Sequence, residues 1–506
     1  MEKQLPKNWV ECSLNDVFEI VTGNTPSKSF PEYYGGNIPW VKPGDINKSI
    51  EIYETQEFLS NLGFEKSRKI AKGSVMVTCI GNLGNIAIAG TELATNQQIN
   101  SIVISHNLIN KKYVYYRALT FKKWLVENST STTISMVNKS NFEKLPFLLP
   151  PLQEQNRIVE KLDNMFNQLE TIKASMANIP LLLKDFRQQV LTQAVTGKLT
   201  SEWRKGKELE SAEVLIQKII QQRIQDFDLK CKLAKEKGER KPTKVLLDKL
   251  PKIERIDVDL PEKWFQTNVH FLSFVTKLAG FEYSLHFDLK EEGEIPVVRA
   301  QNVQMGRFED KNRLYMSKET SDFLVRSQLH GREILMVFIG AGTGNVCLAP
   351  KDERWHLAPN VAKIDVDGIS TEYLYLYLQS ALGIENVLSR VKATAQPSLS
   401  METIRDIVAL VPPLEEQYEI VSRVENLFAK SEAIKKQYNL LKNKIDKIPQ
   451  ALLHKAFKGE LTGQLESDGD AKELLKAIAD LKNIKVTKPK AYKVPKEKLR
   501  LVAEPK

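Results

Sequence analysis

Cysteine is scarce. Cys12, Cys79, Cys231 and Cys347 lie far apart without a Cys-x-x-Cys spacing, which excludes a disulfide framework and a zinc knuckle. They read as incidental thiols of a reducing, cytoplasmic compartment. The six histidines are scattered and none has a partner at metal-ligand spacing. No apolar run is long enough to span a bilayer, and the opening MEKQLPKNWVE lacks a signal-peptide core, so no membrane partner is expected. A G-x-x-x-x-G-K-[ST] phosphate loop, an HExxH pair and a G-x-S-x-G elbow are all missing. The glycine-rich GAGTGN (Gly340–Asn345) has a counterpart, GNLGN, without the first glycine, and no Asn-Pro-Pro or Asp-Pro-Pro accompanies either. It reads as a turn between strands rather than a cofactor loop. The chain is therefore expected to hold no cofactor or metal and to have no catalytic residues of its own.

What is present is a soluble composition, 42% hydrophobic and 27% charged, with a net charge of +10 that suits a polyanionic partner. At 506 residues the chain exceeds one core. Its dominant feature is duplication. LPKNW (Leu5–Trp9) returns as LPEKW (Leu260–Trp264), GNIPWVKPGDI (Gly36–Ile46) as GEIPVVRAQNV (Gly293–Val303), and VMVTCIGNLGN (Val75–Asn85) as LMVFIGAGTGN (Leu335–Asn345). LATNQQI (Leu93–Ile99) matches LAPNVAK (Leu357–Lys363), PPLQEQNRIVEKLDNMF (Pro150–Phe166) matches PPLEEQYEIVSRVENLF (Pro412–Phe428), and TGKLT (Thr196–Thr200) matches KGELT (Lys458–Thr462). So long a period is a doubled pair of domains and not a solenoid.

Within each copy, short β-branched runs bounded by Gly and Asn alternate with helical stretches, giving a mixed α/β head. The helical part that follows carries an a/d seam with steps of four and three. Its core positions are Ile158, Leu162, Met165, Leu169, Ile172 and Leu183 in the first copy, and Ile420, Val424, Leu427, Ile434, Leu441 and Ile445 in the second. Ser431 replaces Leu169 in the second seam and should soften it. Two matched seams favour pairing with each other over lying on their own domains. Pro180 and Pro449 should kink or break the helices, and Gly197 and Gly459 should end them. Ile158 to Val190 would measure roughly 50 Å. The expected architecture is two mixed α/β heads joined by an α-helical coiled coil of two long antiparallel helices, pseudo-two-fold overall. Its boundaries are 1–149 and 257–411 for the heads, 150–205 and 412–464 for the helical regions, 206–256 for a basic linker and 465–506 for a basic tail.

The polar loops recur in matched places. Asn and Gln can pair bidentately with adenine, and Arg or Lys with guanine, in a major groove. In the first head the candidate base readers are Lys42, Asp45, Asn82, Asn85, Asn96, Gln97, Asn138, Lys139 and Asn141. In the second they are Arg299, Gln301, Asn302, Asn345, Asn360, Gln396 and Ser398. The same residue types also serve as plain turn formers. The Lys-rich stretches around 230–244 and 482–500 read either as a solvated linker and tail or as a salt-sensitive grip on phosphates.

These repeated motifs resemble the specificity subunit of type I restriction–modification systems, over essentially residues 1–465. The resemblance implies a non-catalytic chain with two target recognition domains, each reading one half of a bipartite double-stranded DNA site. It implies that the coiled coil sets the spacer and docks two methyltransferase subunits, which modify adenine with S-adenosylmethionine, and that restriction/translocase subunits join the complex. Because the heads differ more than the helices, the half-sites should be unlike. Glu154, Gln155, Glu416 and Gln417 at the helix starts are the expected docking points. A stand-alone DNA methyltransferase and a coiled-coil scaffold without sequence readout are the competing readings.

Overall fold

The computed structural model describes residues 5–46, 49–130, 134–238, 255–278, 280, 282, 288–391 and 397–486. Gln396, residues 239–254 of the basic linker and residues 487–506 of the tail fall outside them. The chain divides into two compact units that do not follow chain order. Unit 1 holds the residues up to Met176 together with those from Leu440 on, and unit 2 runs Ala177–Asn439.

Each head closes on itself before its helix begins. In unit 1, Val10–Ser13 pairs antiparallel with Pro146–Leu149; in unit 2, Phe265–Asn268 pairs in the same way with Val408–Val411. Between those strands the first head has a five-stranded sheet in the order Glu19–Thr22, Ile99–Val103, Val75–Thr78, Ile86–Ala89, Glu51–Ile52. A four-stranded sheet adds Phe58–Leu59, Tyr34–Val41, Leu93–Thr95 and Lys69–Ile70. The second head repeats the plan with Ser273–Lys277, Val361–Val366, Ile334–Val337 and Val346–Leu348, and with Tyr315–Met316, Ile295–Val298, Trp355–Leu357 and Gln328–Leu329. Val75–Thr78 and Ile334–Val337 are buried at every position, as continuous apolar strands covered on both faces should be. GAGTGN is the hairpin turn between Ile334–Val337 and Val346–Leu348, as its sequence suggested.

The ladders correct one match between the halves. Trp40 and Val41 pair in parallel with Ala94 and Thr95, while Val297 and Val298 pair with His356 and Leu357. The Asn96 amide donates to the Val41 carbonyl at 3.0 Å, and that of Ala358 to Val298 at 2.9 Å. Asn96 therefore corresponds to Ala358, and Asn360 to Gln98, two residues away from the register that the shared Leu-Ala and Asn suggest.

The first helical region is two helices, Leu152–Ala177 and Ile179–Val195, with Pro180 in the first turn of the second, where its missing N–H costs nothing. The other is one helix of 43 residues, Leu414–Ala456, which includes Pro449. Past the helix ends Gly197 and Gly459 take φ of +72° and +73°, a left-handed conformation that favours glycine.

Within each unit the two helical segments run antiparallel. In unit 1, Arg157 bonds Asp468 and Lys161 Nζ donates to the Leu461 carbonyl, so the chain just past Ala456 runs against Leu152–Ala177. In unit 2, the Arg187 guanidinium lies 3.9 Å from the Phe428 ring centroid, and Arg423 donates to the Leu199 carbonyl. The seam is deepest beside the heads. Ile158 and Leu162 share a core with Trp9, Tyr113 and Phe147, and Ile420 and Val424 share one with Trp264 and Tyr373. Leu169 and Ile445 are also buried, while Met165, Leu183 and Leu427 are half-buried. Ile172, Ile434 and Leu441, expected in the seam, are instead 47%, 52% and 48% exposed. The cores that the heads share with the helices take in Ile158, Leu162, Ile420 and Val424 but none of these three positions.

Candidate nucleic-acid interface

In the first head, three backbone contacts gather the polar loops at one end of the sheets. Asn96 N bonds Val41, where the turn carrying Lys42 and Asp45 starts; Cys79 N donates to the Gln98 carbonyl at 2.8 Å; and Gly81 N donates to Ser135 at 2.9 Å. The hairpin tip is set by Thr78, whose hydroxyl donates to the Asn82 carbonyl at 2.5 Å and accepts from Asn85 N at 2.9 Å. Gly81 and Gly84, both at φ +77°, flank the exposed Asn82. In the second head, Ala358 N bonds Val298, Phe338 N bonds Asn360 and Gly340 N bonds Pro397, which brings Arg299–Asn302, Asn345, Asn360 and Ser398 together by the same scheme.

The side chains then separate into two groups. Several expected base readers are committed to their own loops. Asp45, 5% exposed, accepts from Lys42 N at 3.0 Å and Gln56 N at 3.3 Å. Asn96 accepts from Gln98 N and donates to the Gln98 side chain at 2.9 Å. Asn302, 2% exposed, accepts from Arg299 N and donates to the carbonyls of Glu309 and Lys311 at 2.9 and 3.0 Å. Asn302 commits its oxygen and both N–H donors to its loop, and buried Asp45 and Asn96 hold their own turns, so these side chains shape the loops instead of facing a groove. Asn138 caps the short helix Lys139–Glu143 through Asn141 N, and Asn345 donates weakly to the Val303 carbonyl at 3.4 Å. Lys42 pairs with Glu57 and stacks on Trp40; Lys139 sits 3.5 Å from Glu143; Arg299 donates to the Asn312 carbonyl. Asn82, Gln97, Asn138, Lys139 and Gln301 are exposed, and Asn85, Asn141, Arg299, Asn345, Asn360 and Ser398 are half-buried.

The sequence reading passed over the segment Thr22–Pro26. The Thr25 hydroxyl donates to Gln97 Oε1 at 2.6 Å, and Asn24 binds Lys66 and Arg68. The available signal was TGNTPSKS, a hydroxyl- and amide-rich stretch directly after a strand. Among the described residues, no group of three or more His, Cys, Asp or Glu side chains could hold a metal ion, and no helix is long and apolar enough to cross a membrane.

A second site explains the other repeated motifs. Glu154 and Glu416 are both 0% exposed. Glu154 accepts from Trp9 Nε1 at 2.8 Å, Thr462 Oγ1 at 3.2 Å and Gln464 Nε2 at 3.0 Å. Glu416 accepts from Trp264 Nε1 at 3.0 Å and Thr200 Oγ1 at 2.6 Å, and pairs with Arg204. Gln155 and Gln417 are equally buried; each donates to the carbonyl of the first proline of its Pro-Pro-Leu, at 2.9 Å, and accepts from a head amide, Asn110 N or Ser370 N. The Leu-Pro-x-x-Trp, Pro-Pro-Leu and Gly-x-Leu-Thr motifs thus meet at one buried carboxylate per unit. The Gly-x-Leu-Thr piece comes from the end of the other helical region each time: Thr462 serves the first head and Thr200 the second. The four residues expected to dock a partner are turned inward, because their polar atoms hold this joint.

The comparisons agree with this plan. The family model for the type I restriction modification DNA specificity domain matches residues 6–180 and 274–443. The EcoBI specificity subunit of Escherichia coli is 25% identical over 468 residues, covering 91% of this chain and 88% of that protein. The MjaIX specificity subunit of Methanocaldococcus jannaschii is 23% identical over 478 residues, covering 90% and 94%. The crystal structure of the HsdS subunit from Thermoanaerobacter tengcongensis matches with a TM-score of 0.56 and 16% identity, over 91% of this chain and 99% of that one. With two matched regions that together cover more than half of the chain, including most of both heads and the Pro-Pro-Leu start of each helical region, the chain belongs to the type I restriction-modification DNA specificity family.

Proposed function

We propose that this chain is the recognition component of a type I restriction–modification complex, and that its two heads read the two unlike halves of an asymmetric bipartite double-stranded DNA site. The observation that carries the reading is the pair of sheet ends. Both are built on the same backbone scheme, yet the first offers Asn82, Gln97 and Lys139, and the second Gln301, Asn345, Asn360 and Ser398. One frame with two sets of side chains suits two different half-sites.

The chemistry is delegated. Two adenine methyltransferase subunits, using S-adenosylmethionine, dock on the helical regions, and restriction/translocase subunits join through them; the assembly works in the cytoplasm. Each unit offers apolar side chains that stay exposed on its own helices for docking, Leu181 and Leu182 in unit 2 and Leu440 and Leu441 in unit 1. Glu154, Gln155, Glu416 and Gln417 are buried in the joints beside the heads and fix where each helical region starts. Mapping methylated adenine across the host genome with and without this gene tests the reading. The expected result is one motif with two unlike half-sites at fixed spacing that vanishes with the gene; a perfect palindrome, or no change in methylation, overturns it.

A further inference from the structure

We infer that Thr25 is a positioning residue for base recognition by the first head, presetting the Gln97 side-chain amide for a purine edge. The inference rests on the reading of Gln97 as a base contact. An exposed Gln side chain ordinarily samples many rotamers, and fixing them on binding opposes affinity. In this head the amide is already held. The Thr25 hydroxyl donates to Gln97 Oε1 at 2.6 Å. That bond leaves the amide one oxygen lone pair and two N–H donors, the acceptor–donor combination that pairs with adenine N6–H and N7.

The hydroxyl is itself fixed, because the loop before it is fastened from three sides. Gly23 approaches the turn preceding Gln97 so closely that a Cβ would lie 2.2 Å from the Thr95 carbonyl oxygen, and Asn24 N donates to that same carbonyl at 2.9 Å. The Asn24 side chain donates to the Lys66 carbonyl at 3.1 Å and accepts from Arg68 N at 2.8 Å. The Tyr34 hydroxyl donates to the Pro26 carbonyl at 2.6 Å. Thr25 is exposed and lies between these fastenings, so its hydroxyl bears no load in the core and is available to orient Gln97.

The test uses the full chain, in the complex purified with it from its host, and a pool of duplexes randomised at every position, with the bound fraction sequenced. The wild type should select a bipartite motif, and Gln97→Ala should relax one position of one half-site by about tenfold. Thr25→Val, which keeps the shape and removes the hydroxyl, should relax that same position by about three- to tenfold with an unchanged unfolding midpoint, and Thr25→Ser should restore it. An unaltered motif in Thr25→Val beside a relaxed one in Gln97→Ala overturns the inference and leaves the Gln97 contact standing. A loss spread evenly over all sequences with a lowered midpoint overturns it in favour of a structural role. An unaltered motif in Gln97→Ala removes the contact, and the inference with it.

Discussion

Glu154 and Glu416 occupy equivalent joints with unlike partners, and the difference is measurable. Glu416 faces the Arg204 guanidinium as well as two neutral donors, whereas the donors around Glu154 are all neutral. Glu416→Gln strands a cation, and should lower the stability of unit 2 by about 2–3 kcal/mol, the modest end for a broken buried pair because Arg204 keeps some water. Glu154→Gln can still accept from Trp9, and should cost unit 1 only about 1 kcal/mol. Denaturant unfolding of the two variants checks the contrast. Unit 1 has its charge elsewhere. The Arg157 hydrogen bonds hold the Asp468 carboxyl below its ordinary value of 3.8. A depressed carboxyl contributes stability above its unfolded value and loses it as pH falls through the folded one. Unit 1 should therefore weaken below about pH 4, and Asp468→Asn should flatten that part of an unfolding-versus-pH profile. None of this pairing was legible in the sequence. A Glu two residues after a helix start looks like a solvent-facing carboxylate, and only the arrival of Trp9 and Thr462 from distant positions shows it to be buried. The same holds for Asn302 and Asp45, since a loop-closing amide or carboxylate and a base-reading one share composition and context.

At the scale of elements, the heptad steps located both helices and much of their buried faces, because a 3.5-residue period is a local property. Ile158, Leu162, Ile420, Val424 and Ile445 are buried as the steps require. The period cannot say how many walls surround a position, and so Ile172, Ile434 and Leu441 were placed in a core that does not cover them. The energetic expectation follows from the difference. Leu162→Ala, at 0% exposure among head side chains, should cost about 3 kcal/mol, and Leu441→Ala less than about 1 kcal/mol by the same unfolding measurement. The glycines beyond the helices were read as stops, and they are also contact points. A Cβ on Gly459 would meet Pro6 Cγ at 2.3 Å, and one on Gly197 would meet Pro261 Cγ at 2.6 Å. The register of the repeat was the least legible element property: repeated letters matched Asn96 to Asn360, whereas the ladders within each head make Asn96 the counterpart of Ala358.

For the whole molecule, the duplication announced two similar halves but not how they are composed. Each unit borrows its closing piece from the far end of the other helical region, so the first head is completed by residues beyond Leu440. Beyond the joint itself, Ala471 N donates to the Asn8 carbonyl at 3.1 Å, Lys482 Nζ donates to the carbonyls of Asn15 and Phe18, and Phe457 packs edge-on against Tyr113 at 5.6 Å. Truncation after Lys458 should therefore loosen residues 5–149 while leaving 257–411 intact, read as loss of amide-exchange protection in the first region alone. This arrangement also sets an order of birth. The second head finds Thr200 and Arg204 already made when Glu416 leaves the ribosome. The first head, translated earliest, must wait with Trp9 and Tyr113 unsealed until Phe457 and Thr462 emerge, hundreds of codons later. A stalled ribosome or an early stop codon thus exposes the older half of the protein to chaperones and proteases, and no chain is finished at its beginning until it is nearly finished at its end.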